Sequence, residues 1–169
     1  MKICKLDRNH LQQRCEWLNT PSIYENMNMQ YPITLLETEK WFERIVSNPN
    51  RMDLAFSDEE EIFAMTGITN IDTTNGIAEF YIMVNPNYQG RGIGSEATKQ
   101  TIDYAFNSYN IHKIYLYTNS FNEAANGLYN KLGFELEGTL RKHKFKNGTF
   151  IDRCIYGLLK EEWQKPNKI

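Results

Sequence analysis

The sequence contains few cysteines and no long apolar run. Cys4, Cys15 and Cys154 are widely spaced and form no CxxC pair, which predicts neither a disulfide framework nor a metal site. No apolar stretch approaches the ~20 residues that are needed to cross a bilayer. The first eight residues lack the apolar core of a signal peptide. We therefore expect a cytoplasmic protein with reduced thiols and no membrane partner.

The sequence also lacks an excess of charge of one sign. Its 169 residues include 19 basic and 21 acidic side chains, a balance that does not support a nucleic-acid binder. The halves differ, because residues 1–84 hold 7 basic and 13 acidic residues and residues 85–169 hold 12 and 8. A basic second half suits an anionic cofactor, although solvated surfaces also produce such asymmetry. The length and a hydrophobic content of 41% predict a single domain over residues 1–169.

The first half of the sequence predicts a strand, two helices and a three-stranded meander. A strand over 2–6 precedes a helix over 11–18, for which Asn9 is a candidate N-cap. Thr34-Leu35-Leu36-Glu37 matches a capping box and predicts the start of the second helix. Short turns then separate three apolar strands, at 52–56, 62–71 and 77–84. Connections this short predict antiparallel pairing.

The second half predicts two helices, a strand and a hairpin. A helix begins near Ile93, and a strand over 112–118 follows it, which favours a parallel neighbour for that strand. Ser120-Phe121-Asn122-Glu123 matches a second capping box, and Gly133 suits the end of that helix. The hairpin has its arms at 134–145 and 150–159 and a tight turn at Asn147-Gly148. The element order is that of one mixed α/β domain.

A glycine-rich hexapeptide, Gln89-Gly90-Arg91-Gly92-Ile93-Gly94, lies between the third meander strand and the following helix. Glycines let the backbone approach a ligand closely, and the free amides at a helix start bind phosphate. Arg91 adds a positive charge. A glycine-rich surface turn is the alternative interpretation. The P-loop pattern GxxxxGK[ST] and the dinucleotide pattern GxGxxG are both absent, so nucleoside triphosphates and NAD are disfavoured.

Two motifs resemble those of the GNAT N-acetyltransferases. The hexapeptide matches the family's Q/R-x-x-G-x-G/A motif, and Asn122 to Phe134 is similar to its second signature, N-x-x-A-x-x-x-Y-x-K-x-G-F. The motifs stand in the family's order, and the resemblance is firmest from Ile77 to Leu159. It implies a mixed α/β fold, in which helices flank a central, mostly antiparallel sheet with one splayed pair of parallel strands.

The resemblance implies acetyl-CoA as the co-substrate. In this family the amides of the glycine loop hold the pyrophosphate, which assigns cofactor binding to Gln89, Gly90, Arg91, Gly92, Ile93 and Gly94. The pantetheine arm lies between the splayed strands and pairs with the backbone near Met83 and Val84. One of those amides also polarises the thioester carbonyl. Asn122 matches a residue that hydrogen-bonds to the arm, although an Asn at this position also suits helix capping.

The resemblance also implies two catalytic residues for direct attack by an amine. Tyr129 matches the family's usual general acid, and its structural alternative is packing on an amphipathic helix. Glu79 is a candidate base, because several family members carry a base on this strand. Alternation places Glu79 beside Tyr81 and Met83 on one face of the strand, whereas Ala78 and its alternate neighbours face the core. A structural ion pair is the alternative for Glu79.

Within the family, the chain is similar to the acetyltransferases of ribosomal-protein N-termini, spermidine and amino sugars. The acceptor is therefore a small-molecule amine or a peptide N-terminus. Spermidine enzymes of this type carry an acidic stretch where this chain has the uncharged segment 26–32. This weakens a polyamine assignment, for which Glu25, Glu37 and Glu39 could partly substitute. A CoA-binding regulatory module without turnover is the alternative function. The sequence leaves both a monomer and a homo-oligomer open.

Overall fold

The computed structural model describes residues 1–27, 29 and 31–164. These residues form a seven-stranded sheet in the order β1-β2-β3-β4-β5-β7-β6. The strands are β1 (Lys2–Lys5), β2 (Met52–Ser57), β3 (Ile62–Asp72), β4 (Ile77–Val84), β5 (Lys113–Asn119), β6 (Glu135–Lys146) and β7 (Thr149–Leu159). The α-helices are α1 (Leu11–Leu18), α2 (Pro21–Tyr24), α3 (Leu35–Ile45), α4 (Ile93–Ser108), α5 (Glu123–Lys131) and α6 (Lys160–Trp163).

The pairing confirms the predicted fold class. The meander of β2, β3 and β4 is antiparallel, and β4 and β5 are parallel neighbours. The hairpin of β6 and β7 is antiparallel, and its turn has positive φ at both Asn147 and Gly148, as a type I′ turn requires. No helix among the described residues is both long and apolar enough to span a membrane.

Helices cover both faces of the sheet. On one face, Phe80 of β4 shares a buried cluster with Ile102 of α4 and Tyr129 of α5. On the other face, Met83 shares a second cluster with Trp17 of α1 and with side chains of α2 and α3. Alternate side chains of β4 thus enter two different cores. The sequence predicted a core on the Ala78 face alone, but the Met83 end of the opposite face is buried as well.

Two predicted helix caps are wrong. Helix α1 has His10 rather than Asn9 as its N-cap, without a side-chain hydrogen bond, and Asp7 caps the preceding 3-10 turn, where its carboxylate accepts from the amide of Arg8 at 2.6 Å. The N-cap of α5 is Asn122 rather than Ser120, and its side chain accepts from the amide of Ala125 at 3.2 Å. Ser120 instead donates its amide to the carbonyl of Asp152, which fastens it to β7.

The capping box at the start of α3 is confirmed. The Thr34 hydroxyl accepts from the amide of Glu37 at 3.2 Å, and the Glu37 carboxylate accepts from the amide of Thr34 at 2.8 Å. This reciprocal pair satisfies two amides that a helix start otherwise leaves free. It also engages the Glu37 carboxylate in hydrogen bonds at the start of α3.

Candidate active site

The parallel strands β4 and β5 pair over three positions only. Ile77–Glu79 of β4 align with Lys113–Tyr115 of β5. Beyond that point, Phe80–Val84 pair with β3 alone. The two parallel strands therefore diverge, and one edge of β4 is left without a strand partner. Such an edge offers backbone donors and acceptors to an extended ligand, as in strand addition.

The glycine-rich loop lies at the wide end of this gap. Gly90 and Gly92 have φ values of +74° and +81°, a backbone region that residues with a β-carbon adopt with strain. A β-carbon placed at either position would meet no atom within 4 Å. Glycine is therefore needed here for the backbone conformation, and the outer side of the loop is open to a ligand.

The amides of the loop are free to bind an anion. Among the described residues, no backbone hydrogen bond outside the helices and strands has its donor between Gln89 and Ser95. The first amide engaged is that of Glu96, which donates to the carbonyl of Gly92 at 3.1 Å. These amides lie at the positive end of the 16-residue helix α4. Arg91 is exposed and stacks on Tyr88 at 5.1 Å, so the loop fits a pyrophosphate.

The remaining loop residues have structural contacts. A β-carbon at Gly94 would lie 3.3 Å from Cγ2 of Val84 and 3.6 Å from Cδ2 of Leu128. Gly94 therefore lets α4 pack closely against β4 and α5. Ile93 is half-buried against the cluster that contains Phe80, and the exposed Gln89 places its amide nitrogen 3.5 Å from the Val84 carbonyl.

Tyr129 lies beside the gap on the α4 face of the sheet. Its side chain is 5% exposed, and its ring centroid lies 6.3 Å from that of Phe80, the first residue of β4 beyond the paired positions. Burial alone raises the pKa of Tyr129 above its usual value of 10.0. The phenol therefore stays protonated at neutral pH. A protonated hydroxyl in this place can donate to a leaving group, so the catalytic role stays a prediction that the geometry permits.

Glu79 approaches the gap from the opposite face. Its carboxylate accepts from Nδ2 of Asn70 at 2.8 Å. Burial first, and then the charge of Glu79, raise the pKa of Tyr115 on β5, which places the carboxylate near that ring. No ion pair within 4.0 Å among the described residues includes Glu79, but its charge acts on Arg153, so a structural pairing of Glu79 stays an alternative. Its role as a base stays a prediction.

The residues assigned to the pantetheine arm border the gap. Met83 is buried and Val84 is half-buried, and both belong to the part of β4 that pairs with β3 alone. Asn122 caps α5 with its side-chain oxygen. That bond uses the oxygen of the amide and leaves its two N–H donors available. Capping and ligand binding are thus compatible for Asn122.

A cluster on the Glu79 face of β4 was not predicted from the sequence. The Tyr81 hydroxyl donates to Asp53, and Arg51 donates to both oxygens of the same carboxylate at 2.6 and 2.8 Å. The Trp41 ring lies 4.0 Å from the guanidinium carbon of Arg14 and 5.2 Å from that of Arg51. Burial raises the pKa of Tyr81 to about 12. We call Arg14, Trp41, Arg51, Asp53 and Tyr81 the cation–aromatic cluster.

Two buried polar residues fasten the segment after α2 to the sheet. Asn119 at the end of β5 is 1% exposed and donates to the carbonyl of Glu25 at 3.2 Å. Lys144 of β6 is 8% exposed and donates to the carbonyl of Met27 at 2.8 Å. The segment therefore lies over the same face of the sheet as Glu79. Neither contact has a local signal in the sequence, because the partners are 94 and 117 residues apart.

Comparisons with known proteins agree with this geometry. The Acetyltransferase (GNAT) family matches residues 13–134, which is more than half of the chain. The chain is 28% identical over 159 residues to a spermidine N(1)-acetyltransferase of Escherichia coli (strain K12), covering 92% of this chain and 86% of the relative.

Solved structures share the fold. A spermidine N-acetyltransferase from Vibrio cholerae in complex with CoA and spermine has a TM-score of 0.90 and 24% identity, and 96% of each chain is covered. A dodecameric structure of spermidine N-acetyltransferase from the same organism has a TM-score of 0.85 and 24% identity, with 97% of this chain and 96% of that chain covered. As its two motifs predict, the chain belongs to the GNAT acetyltransferase family and is an acyltransferase that takes its acetyl group from acetyl-CoA.

Proposed function

We propose that this protein acetylates a primary amine by direct attack of the amine on the thioester, in a ternary complex within the gap between β4 and β5. The observation that carries this proposal is the placement of Glu79 and Tyr129 at the start of the unpaired part of β4, on opposite faces of the sheet. A base and an acid on opposite sides of one reaction centre suit a transfer in which one group loses a proton and another gains one.

The gap and the loop divide the binding of the co-substrate between them. Acetyl-CoA supplies an activated acetyl group and a thiolate leaving group. The free amides from Gly90 to Gly94 bind the pyrophosphate, with Arg91 as an added positive charge. The unpaired backbone of Met83 and Val84 holds the pantetheine arm, and one of these amides stabilises the charge that develops on the carbonyl oxygen. Asn122 donates from its side-chain amide to the same arm.

The acceptor amine must lose a proton before it attacks. An alkyl amine has a pKa of about 10 and is protonated at neutral pH. Glu79 accepts this proton, directly or through a water molecule, because its carboxylate stands on the face to which the segment after α2 is fastened. Tyr129 donates its hydroxyl hydrogen toward the leaving sulfur from the other face. A thiol has a pKa near 8.5, below the raised pKa of Tyr129, so a hydrogen bond to the sulfur is favoured over complete proton transfer.

The similarity to spermidine acetyltransferases supports a small-molecule amine as the acceptor. A polyamine, however, needs opposing carboxylates. The segment 26–32 carries none, although two of its residues, Asn28 and Gln30, lie outside the described part of the chain. An amino sugar and a peptide N-terminus fit an uncharged segment equally well. The charged residues that line the cavity beside α3 help to distinguish between these acceptors.

We also propose that the chain forms a homo-oligomer. Phe145 and Phe150 stand at the end of the β6–β7 hairpin, 62% and 61% exposed, with ring centroids 5.0 Å apart. An exposed aromatic pair at the end of a hairpin is a common feature of contact surfaces. The dodecameric structure of a spermidine N-acetyltransferase supports assembly in proteins of this fold. Light scattering of the purified chain measures its molar mass directly.

Release of free CoA thiol tests the proposed activity. We expect thiol to appear only when acetyl-CoA and an amine are both present, across a panel that includes polyamines, amino sugars and peptide N-termini. Tight CoA binding without amine-dependent thiol release would contradict the enzyme and support a regulatory CoA-binding module. Stronger thermal stabilisation by ATP or NAD than by CoA would contradict the assigned co-substrate.

A further inference from the structure

A cavity of about 540 Å³ opens beside α1 and α3, on the Glu79 face of the sheet. Its charged lining consists of three cations, Arg14, Lys40 and Arg44, and one acid, Glu37. The Glu37 carboxylate is already engaged, because it accepts from the amide and the hydroxyl of Thr34 at 2.8 and 2.7 Å. The cavity is therefore a cationic site of the right size for a small molecule.

Arg14 is the buried member of this set. It is 6% exposed, and its Nε and Nη1 atoms have no hydrogen-bond partner among the described residues. A guanidinium needs anionic or carbonyl partners when it leaves water, because burying an unpaired charge is costly. The stacking of Arg14 on Trp41 at 4.0 Å satisfies the face of the guanidinium but not its N–H groups. None of the described residues supplies the remaining partner.

The carboxylate of Asp53 in the cation–aromatic cluster does not fill that role. Asp53 receives both hydrogen bonds of Arg51 and the hydroxyl hydrogen of Tyr81. No ion pair among the described residues includes Arg14. Arg14 therefore keeps hydrogen-bonding capacity that the described residues do not use.

The cavity lies next to the proposed reaction centre. The guanidinium carbon of Arg14 is 5.7 Å from the centre of the Tyr81 ring. Tyr81 is two residues from both Glu79 and Met83, a distance of about 7 Å along a strand. A compact molecule that places its amine near Glu79 can therefore place a second group at Arg14.

A second guanidinium on the same side of the molecule is also short of partners. Nε of Arg153 is buried without a hydrogen bond among the described residues, and its guanidinium stacks on Tyr117 of β5 at 4.5 Å. Lys144 lies close enough to Arg153 for the two charges to interact. The charge of Glu79 acts on Arg153, but the three cations Arg14, Lys144 and Arg153 outnumber this carboxylate, which favours an anion over a polycation.

We infer that the amine acceptor carries an anionic group, a carboxylate or a phosphate, which Arg14 binds in the cavity beside α3. That the bound molecule is the acceptor rests on the proposed acetyl transfer, whereas anion binding at Arg14 does not depend on it. It favours an amino acid or a phosphorylated amino sugar over a polyamine. The anion neutralises the unpaired guanidinium, and the amine at the other end of the molecule lies toward Glu79.

Matched pairs of amines test this inference by isothermal titration into the protein saturated with CoA. The pairs are 1,5-diaminopentane with lysine, which adds a carboxylate, and glucosamine with glucosamine 6-phosphate, which adds a phosphate. Spermidine serves as the polycation. We expect the anionic member of at least one pair to bind ~10- to 100-fold more tightly than its partner, the range of a charge-assisted hydrogen bond. The pair with the larger ratio identifies the anion.

Substitutions then locate the anion. Arg14→Gln should abolish the preference for the anionic member, and Arg14→Lys should restore part of it. Arg8→Gln is the matched control, because Arg8 forms an exposed ion pair with Glu43 at 3.3 Å and should keep the full preference. If Arg14→Gln does not fold, the double variant Lys40→Gln, Arg44→Gln reduces the charge of the same cavity from exposed positions and should lower the same ratio.

Equal or tighter binding of spermidine and of the members without an anionic group, or an unchanged ratio in both cavity variants, would overturn the inference. These outcomes are separate from the proposed activity. Acetylation of spermidine without any preference for anions would leave the transfer intact and contradict the anionic acceptor. Saturable, Arg14-dependent anion binding without thiol release from any amine would support the anion site and contradict the transfer.

Discussion

At the scale of single residues, the proposed reaction depends on side chains whose surroundings cannot be read from the two sequence motifs. Tyr129 and Glu79 are separated by the sheet, and each has one clear environment: a buried aromatic cluster for Tyr129 and a hydrogen bond from Asn70 for Glu79. Their chemistry can therefore be tested separately. Lys144 adds a third test, since it is a buried cation without a carboxylate partner among the ion pairs of the described residues.

Replacing Tyr129 with Phe should lower kcat about 100-fold, a loss typical of removing a general acid, and leave CoA affinity unchanged. Burial, and no hydrogen bond, accounts for the raised pKa of Tyr129, so the loss of the hydroxyl should not destabilise the fold. Steady-state kinetics and CoA titration measure the two effects. Tyr156→Phe is the control, because Tyr156 belongs to the same buried cluster at a centroid distance of 6.2 Å. Wild-type turnover by Tyr129→Phe would remove the assigned role.

Replacing Glu79 with Gln removes the charge but keeps an oxygen that can accept from Asn70. We expect kcat to fall about 100-fold, the contribution of a positioned base, with little change in thermal stability. Glu59→Gln is a suitable control, because Glu59 is an exposed residue that pairs with Lys2 at 3.0 Å. If the Glu79→Gln variant melts at a much lower temperature while its remaining folded fraction turns over normally, Glu79 has only a structural function.

Stability should rise with pH through the titration of Lys144. Burial first, and then the charges of Lys146 and Arg153, lower the pKa of Lys144 from 10.5 to about 8. The unfolded chain therefore binds more protons than the folded chain between pH 8 and 10.5, and the free energy of unfolding increases over that window. The melting temperature of the wild type relative to Lys144→Met should rise from pH 7.5 to pH 10 and be flat below that. A constant difference would contradict the shift.

At the scale of secondary structure elements, the sequence predicts the strands and helices well and their caps less well. The alternation of apolar residues and the turn residues predicted the meander of β2, β3 and β4 and the hairpin of β6 and β7, because these signals are local. Asn9 and Ser120 are wrong as caps, since Asp7 and Asn122 lie within two residues of them and make the bonds instead. Several neighbouring polar residues can cap the start of a helix, and the path of the backbone decides which of them does so.

The burial of both faces of β4 could not be predicted from its alternation. Tyr81 and Met83 share a face with Glu79, and a glutamate is typical of an exposed face. The structure covers the Met83 end of that face with α1, α2 and α3 and leaves the Glu79 end open. The covering helices are far away in the sequence, so no local pattern reports them.

The glycine loop provides a test with a matched control. Gly92 and Gly148 have φ values of +81° and +78°, and a β-carbon at either meets no atom within 4 Å. Alanine should therefore cost each position a similar amount of stability, about 1 kcal/mol from backbone strain. Only Gly92→Ala should also weaken CoA binding, by about 10-fold or more, because its β-carbon enters the space of the phosphate. Titration calorimetry and thermal unfolding separate the two effects.

Equal CoA affinities in Gly92→Ala and Gly148→Ala would place the pyrophosphate elsewhere. Gly94→Ala gives a further comparison, because its β-carbon would press on Val84 and Leu128. That variant should lose stability through packing, whereas Gly92→Ala should lose affinity through the ligand.

At the scale of the whole molecule, the co-substrate half of the site is readable from the sequence and the acceptor half is not. The glycine loop and the Asn122 to Phe134 signature are continuous segments, so their residues can be assigned by inspection. The acceptor side combines Arg14, Trp41 and Tyr81 from three separate elements, and Lys144 reaches Met27 across 117 residues. Only folding brings these groups together.

The net charge of each half of the sequence does not predict the charge around each part of the site. In our assignment the loop that binds the pyrophosphate belongs to the second half, where the sequence has its basic excess. The acidic first half, however, places Arg14, Lys40 and Arg44 around the cavity beside α3. The distribution of charge over a segment therefore does not report the charge of a pocket that the segment lines.

A crystal structure of the protein with acetyl-CoA would show directly where the co-substrate lies. We predict that the pyrophosphate contacts the amides between Gly90 and Gly94, that the pantetheine arm runs along the unpaired edge of β4 at Met83 and Val84, and that the thioester lies between Glu79 and Tyr129. A complex in which the co-substrate binds outside the gap, with Glu79 and Tyr129 remote from the thioester, would contradict the account.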